Sequence, residues 1–426
     1  FGDMIPYGDP TVCQEWRSPY YNSSHHALRK AVRKYVEEEL IKFVPLADKQ
    51  ECIPRSEVLR AGELGLLAAS AHGDLAREYF KGKIFGVIDP NEMDAFHQAV
   101  IIDEISRTAS SGLIGGLTIG AGLTLNPIYF FGSEEIKSKI IPDAIAGRLR
   151  GALAISEPQA GSDVANITTE AKLNAEGTHY VVNGTKKWIT GGTIADYFLT
   201  AVRTGGPGIK GISVILIERG PGVKTRPIEV MGLHGSGTAF VTFEDVKVSA
   251  GNIIGEVNEG FKTIIMNFNP ERIGMIISGI RFARVLYEES FKYANKRRTF
   301  GKNLIEHAVI REKLAHMIRH VEACQHWADH ILYQTKFIED LSVLIKLAGA
   351  ISLLKIEVTR CFEYCASEAC QIFGGNGYTK GGQGEKIERL YRDVKGYAIP
   401  GGSEEIMAEL GVNIAMRMAK MNDAKL

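Results

Sequence analysis

The chain has 426 residues, of which 45% are hydrophobic and 23% charged, and its 50 basic side chains are cancelled by 50 acidic ones. That balance excludes a general nucleic-acid binder, which shows a basic excess or stripe, and the composition supports a large globular core. The length allows two or three domains.

No apolar run reaches the about 18 residues that a membrane span needs; residues 113–125 are apolar but glycine-rich and shorter, so no membrane span is expected. Six cysteines without a Cys-x-x-Cys pair read as free thiols in a reducing compartment, Cys361, Cys365 and Cys370 lying within one predicted helix.

In chain order, Pro6, Pro10 and Pro19 break any helix before residue 21. Ser23 or Ser24 then caps a helix to about residue 40, because Leu28, Val32, Tyr35, Val36 and Leu40 keep a three/four spacing. Further helices are predicted over residues 54–65 and 92–107, the latter after the start signal Asp89-Pro90. Apolar helical stretches continue to Pro142, so residues 1–148 read as an all-α domain. The pattern then changes to short β-branched runs at residues 180–182, 197–202, 212–217 and 240–243, separated by glycine and proline; residues 149–250 read as an all-β domain. Within it, Asn183-Gly184 between alternating apolar residues predicts a hairpin turn that folds Trp188 and Thr190 back near the Ser156–Ser162 loop. From residue 251 the helical period returns, with long helices expected over 259–296, 307–335, 341–373 and 403–421, a four-helix bundle. The fold class is therefore α+β and multidomain: helical, then β, then helical.

Three chemical signals compete in this frame. His316 with His320, and His326 with His330, stand one helical turn apart, but Met317 and Trp327 occupy the place where a zinc protease needs Glu, so no metal is expected. Gly374-Gly375-Asn376-Gly377 follows a helix rather than a strand, which argues against a nicotinamide dinucleotide loop. A flat indole at Trp188, the hydroxyls of Thr190 and Ser156, and free loop amides instead suit one face of a planar, hydrogen-bonding ring system.

The segments Leu153-Ala-Ile-Ser-Glu-Pro-Gln-Ala-Gly-Ser-Asp163 and Lys186-Lys-Trp-Ile-Thr190 resemble the flavin-contacting β-domain of the acyl-CoA dehydrogenase family. Arg297-Arg-Thr-Phe-Gly301, Gln371-Ile-Phe-Gly-Gly-Asn-Gly377 and Tyr391-Arg392-Asp393 follow in the order and spacing of that family, and the resemblance covers nearly the whole chain. It implies a helical N-terminal domain, a β-barrel-like middle domain and a C-terminal four-helix bundle holding non-covalent FAD. It further implies that Leu153, Ile155, Ser156, Trp188 and Thr190 line the isoalloxazine, with Ser403 also on the cofactor. Arg297, Thr299, Phe300, Gln371, Gly374 and Gly375 would reach the FAD of a neighbouring subunit in a homodimer or homotetramer. Ala308 stands where relatives often carry a polar residue toward the cofactor.

The reaction this implies is α,β-dehydrogenation of an acyl-CoA thioester to the trans-2-enoyl-CoA, with electrons passing on to an electron-transferring flavoprotein or to O2. It needs a carboxylate to take the α-proton and donors at the thioester oxygen. Many relatives place that Glu in the loop before the last helix, but Gly401 occupies the position here. Long-chain and isovaleryl-type relatives place it directly before Arg in the first helix of the bundle, which points to Glu271, ahead of Arg272. Glu404 and Glu405 are the neighbouring alternatives. The Gly401 amide would meet the thioester carbonyl, and Ser162 and Arg272 the substrate. An acyl-CoA oxidase and a non-catalytic flavin scaffold are the rival readings. The terminal Ala424-Lys425-Leu426 resembles the Ser-Lys-Leu address and implies a peroxisomal location, with mitochondrial or cytosolic ones as alternatives.

Overall fold

The computed structural model describes residues 5–337 and 341–421; the terminal Ala424-Lys425-Leu426 lies outside the described residues. Packing divides the chain differently from sequence order. One compact unit gathers residues 43–93 and 112–271, the other the described residues up to 42, then 94–111, then those from 272 onward.

The first unit is built on one eight-stranded sheet. Its strands are β1 (Gly151–Ala154), β2 (Glu170–Leu173), β3 (His179–Ile189), β4 (Tyr197–Arg203), β5 (Ile212–Glu218), β6 (Val223–Pro227), β7 (Ala239–Ser249) and β8 (Ile253–Ile254). Hydrogen bonding runs β6-β7-β3-β2-β4-β5-β8, with β1 added parallel to β4. Strands β4 and β5 are buried along nearly their whole length, which explains why they read as unbroken apolar runs. Phe198, Val202, Ile215, Ile217, Val241 and Phe243 form the centre of this core.

The hairpin expected at Asn183-Gly184 is not there. Strand β3 runs straight through both residues and pairs antiparallel with β7, slipping register between Val182 and Gly184. Gly184 takes φ +148°, and a Cβ on it would come within 2.6 Å of Thr169. Asn183 bonds to Asp245 from both ends of its amide, across to β7. The same two residues that can make a tight turn here make a β-bulge, because a long partner strand is present to pair with.

Residues 111–131, expected to hold only a short apolar run, form one continuous 21-residue helical stretch. By length and composition alone it could cross a membrane, but half of it is buried within the protein.

In the second unit the helices Gly260–Lys296, Ala308–Thr335, Leu341–Phe373 and Glu404–Met421 agree with the four long helices read from sequence; the first begins in the other unit and enters this one at Arg272. The helix Ser23–Tyr35 is capped by Asn22 rather than by a serine. A buried ionic network ties it to the helices Ala95–Ile105 and Gly260–Lys296. Arg29 reaches Asp103 (2.6 Å) and Glu104; Arg33 reaches Glu104 (2.8 Å) and Asp9 (2.9 Å); Arg281 reaches Asp103 (2.8 Å) and Asp9 (3.0 Å). Burial pushes the Asp9 and Asp103 carboxyls up, but Arg281 and its neighbours outweigh it and hold both far below the ordinary range. Removing one charge from such a set leaves its partners uncompensated, at a cost of about 3–5 kcal/mol. Asp103→Asn should therefore lower the stability of this unit by that amount in chemical denaturation; a midpoint within error of wild type would refute the role given to the network.

Candidate active site

Each unit presents part of the expected site. In the sheet unit, the Lys187 N–H donates to the Ser156 carbonyl (2.9 Å), so the 155–157 loop lies against the end of β3. The Lys186 ammonium, fully buried, donates to the Ile155 carbonyl (2.9 Å) and to Glu157 (2.8 Å). Glu157 also accepts from Gln159, from the Thr168 amide and hydroxyl, and from the Thr169 amide. Trp188 and the Ser156 loop are thus brought together as expected, through this clamp rather than through a hairpin. A second register slip between Lys186 and Ile189, with Trp188 at φ +61°, turns its indole outward to 49% exposure. Leu153 lies on β1, Ile155 is buried, Ser156 and Thr190 are half-buried, and Ser162 is exposed.

In the helical unit, Arg297 and Arg298 leave the helix Gly260–Lys296 and enter a tight hairpin of Arg298–Thr299 with Lys302–Asn303. Both turn residues, Phe300 (φ +50°) and Gly301 (φ +81°), are left-handed, as a two-residue hairpin turn requires. A phenylalanine pays for that conformation, and Phe300 ends 95% exposed. Beside it, the Arg297 amide bonds to the Tyr293 carbonyl while the Tyr293 hydroxyl accepts from Asn376. That ties the end of the Gly260–Lys296 helix to the segment carrying exposed Gln371, Gly374 and Gly375, where added Cβ atoms on the two glycines would meet nothing within 4 Å, and Tyr378, 93% exposed.

The third element is the loop between the helices Lys395–Ala398 and Glu404–Met421. Gly401 (φ +69°) and Gly402 (φ +106°) are both left-handed, and a Cβ on Gly401 would sit 2.9 Å from the Met275 sulfur. Buried Arg272 donates from Nε to the Gly401 carbonyl (2.8 Å). Among the described residues nothing accepts the Gly401 N–H. Ser403 caps the following helix weakly, its hydroxyl accepting from the Ile406 amide at 3.5 Å. Glu404 is held by Thr359 (3.2 Å) and Arg360 (3.3 Å). Glu271 is half-buried, and because its helix begins at Gly260 with Pro270 inside, it serves no helix start.

The histidine pairs of the 308–335 helix gather no metal-type cluster. Among the described residues the one such group is His25, Asp94 and His97, where Asp94 already accepts from helix amides and pairs with Lys336 at 2.7 Å. Cys324, Cys361, Cys365 and Cys370 are free thiols.

An outward-facing indole over a clamped loop, an exposed phenylalanine and a glycine surface without side chains fit a large planar cofactor with a phosphate tail; with this fold they define an FAD-dependent oxidoreductase. Models of the N-terminal, middle and C-terminal domains of acyl-CoA dehydrogenase match residues 22–148, 152–246 and 258–418. The chain is 36% identical to acyl-CoA dehydrogenase apdG of Emericella nidulans over 428 residues, covering 99% of this chain and 98% of that one. It is 30% identical to the mitochondrial isovaleryl-CoA dehydrogenase of Pongo abelii, over 89% of this chain and 85% of the relative. An acyl-CoA dehydrogenase structure from Geobacillus kaustophilus superposes with a TM-score of 0.83 at 30% identity, covering 93% of this chain and 99% of that one. The chain belongs to the acyl-CoA dehydrogenase family, and its cofactor is FAD.

The Lys186–Glu157 pair has a pH signature. Burial pushes the Glu157 carboxyl up, but Lys186 and the surrounding donors outweigh it and bring it down from 4.5 to about 2. Burial pushes the Lys186 ammonium down to about 8 against the pull of Glu157, so both remain charged at neutral pH. Because the folded carboxyl titrates below the unfolded one, its stabilisation is complete above about 4.5 and is lost as pH falls toward about 2. Glu157→Gln should melt below wild type at pH 7 and the two melting curves should converge on acidification through that window. Parallel curves would show that the pair carries no such linkage.

Proposed function

We propose that this chain dehydrogenates an acyl-CoA thioester between Cα and Cβ, with Glu271 as the base. Bound FAD supplies the acceptor for the β-hydride. Glu271 takes the α-proton from a rigid helix. The Gly401 N–H receives the thioester oxygen, where negative charge grows as that proton leaves. The observation that carries this reading is the free Gly401 amide in a loop whose own carbonyl is turned away onto Arg272. Met275 occupies the space that a side chain at 401 would need, which supports a base supplied from the helix rather than from position 401. Glu404 is engaged by Thr359 and Arg360 and is less available. The similarity to an isovaleryl-CoA dehydrogenase supports the same placement. Leu153, Ile155, Ser156, Trp188 and Thr190 lie along the isoalloxazine, and Ser162 and Arg272 serve the substrate side. Arg297, Thr299, Phe300, Gln371, Gly374 and Gly375 meet the cofactor phosphates of a second copy of this chain, which accounts for the exposure of Phe300 and the bare glycines.

Glu271→Gln keeps size and hydrogen bonding but removes the proton acceptor. In anaerobic mixing with acyl-CoA it should keep its FAD, bind the thioester and reduce the flavin ~10²–10⁴-fold more slowly than wild type. Flavin bleaching at the wild-type rate would exclude Glu271 as the base.

Arg297→Ala removes one exposed cation from the surface proposed to meet the cofactor phosphates. The variant should release FAD more readily on gel filtration, and the loss should grow as the protein is diluted and copies separate. Retention equal to wild type at every concentration would contradict the shared cofactor site.

A further inference from the structure

We infer that Lys355 is a positioning residue for the oxyanion-binding amide of Gly401. The inference rests on the reading of Gly401 given above and extends it to a residue that touches neither substrate nor cofactor. Lys355 lies in the middle of the helix Leu341–Phe373 and is 1% exposed. Its ammonium donates to the Ala398 carbonyl (2.8 Å) and to the Gly402 carbonyl (2.7 Å). The Gly401 carbonyl between them is held by Arg272 (2.8 Å). Three carbonyls of one short loop therefore point at two buried cations.

Orientation is the consequence. Peptide units are planar, so holding the Ala398, Gly401 and Gly402 carbonyls fixes the Ala398–Ile399, Gly401–Gly402 and Gly402–Ser403 units, and the Gly401 N–H, carried by the Pro400–Gly401 unit between them, can turn only through the few torsions that remain. Ala398 closes a helix, and its carbonyl is one of the terminal groups a helix cannot satisfy itself. Gly402 is the last residue but one before the next helix starts. Lys355 thus staples both ends of the loop, and Arg272 fixes its middle. The loop needs such staples because two consecutive left-handed glycines have the widest conformational freedom of any residue pair. Without them the Gly401 N–H would sample many directions. An oxyanion donor works only when it is already aimed where charge will develop. Burying an ammonium is costly, and a neutral donor would close the helix end equally well. The ammonium also places a positive charge beside the loop, which favours negative charge developing there.

The test uses FAD-loaded protein and a 3-thia acyl-CoA. Its sulfur replaces the β-carbon, so no β-hydride can leave and the reaction stops once the α-proton is removed. The resulting enolate absorbs at long wavelength beside the oxidised flavin, and titrating that band gives the pH midpoint of α-proton loss. Lys355→Met should raise the midpoint by about 1–2 units and slow flavin reduction by a normal substrate about 10–100-fold, with KM changed far less than kcat. Amide exchange in the 398–403 peptide should rise in the same variant. Lys355→Gln, which keeps one donor, should fall between it and wild type, and it decides the matter alone if the methionine variant does not fold. A midpoint unmoved in a folded variant overturns the inference, even where melting temperature drops, since a merely structural lysine would lower stability without shifting it. A wild-type protein that never develops the band overturns the reading of Gly401, and this inference with it. A normal wild-type band with unshifted variants overturns this inference alone.

Discussion

The helical unit depends on a buried set of three guanidinium groups and three carboxylates. Arg29, Arg33 and Arg281 face Asp9, Asp103 and Glu104, all nearly excluded from water. Apolar residues of similar volume would often give equal or greater stability, so the set is poorly explained by stability alone. It imposes geometry instead. Bidentate guanidinium–carboxylate contacts have fixed distances and planes, which apolar packing lacks. Arg281 lies roughly 13 Å along the same helix from Arg272. Rotation of that helix about its axis would break the Arg281 contacts to Asp9 and Asp103. The helix roll that sets Arg272 under the Gly401 carbonyl and Met275 beside the loop is therefore set by charge pairing several turns away.

Two of the left-handed non-glycine residues stand at the surfaces offered to ligands. Trp188 and Phe300 are large aromatic residues in the left-handed region, a conformation that bulky residues rarely adopt. Both are turned outward, one by a β-bulge and one by a two-residue hairpin. Keeping them strained and exposed loses stability on two counts, which is the pattern of residues held ready for a partner that arrives later. The glycines at 374, 401 and 402 carry the complementary requirement of a backbone that must be approached closely.

Much of the fold was legible in the residues. The four long helices could be read because their apolar stripes persist over many turns, and the buried strands because their runs are β-branched and bounded by glycine and proline. Asn183-Gly184 misled because turn propensity is local, while the choice between turn and bulge is made by a partner strand some sixty residues on. The helical stretch over residues 111–131 keeps its glycines because they give it room against neighbouring backbone. A Cβ on Gly120, for example, would come within 2.5 Å of the Gly151 carbonyl. The roles of the site residues came through resemblance rather than through periodicity, and spacing alone would not have separated Glu271 from an ordinary helix residue.

Lys186 and Lys355 were missed, though each left a trace. Lys355 stands in the apolar stripe of Ile351, Leu354, Val358 and Phe362, where a charge breaks the pattern. Lys186 falls on the buried face of β3. A lysine in an apolar stripe has two common resolutions: its stem lies along the surface with the ammonium in water, or its ammonium finds fixed acceptors inside. Sequence cannot choose between them, since the acceptors are backbone carbonyls of distant loops that leave no mark in residue type. Both lysines here take the second course, and both bind carbonyls of loops named for cofactor or substrate, Ile155 in one case and Ala398 with Gly402 in the other. The regular elements thus reach into the irregular ones with a charge. Loops supply the free amides and close approach that chemistry needs, but they are mobile. A buried ammonium on a strand or helix gives them the rigidity of that element without placing a side chain in the site.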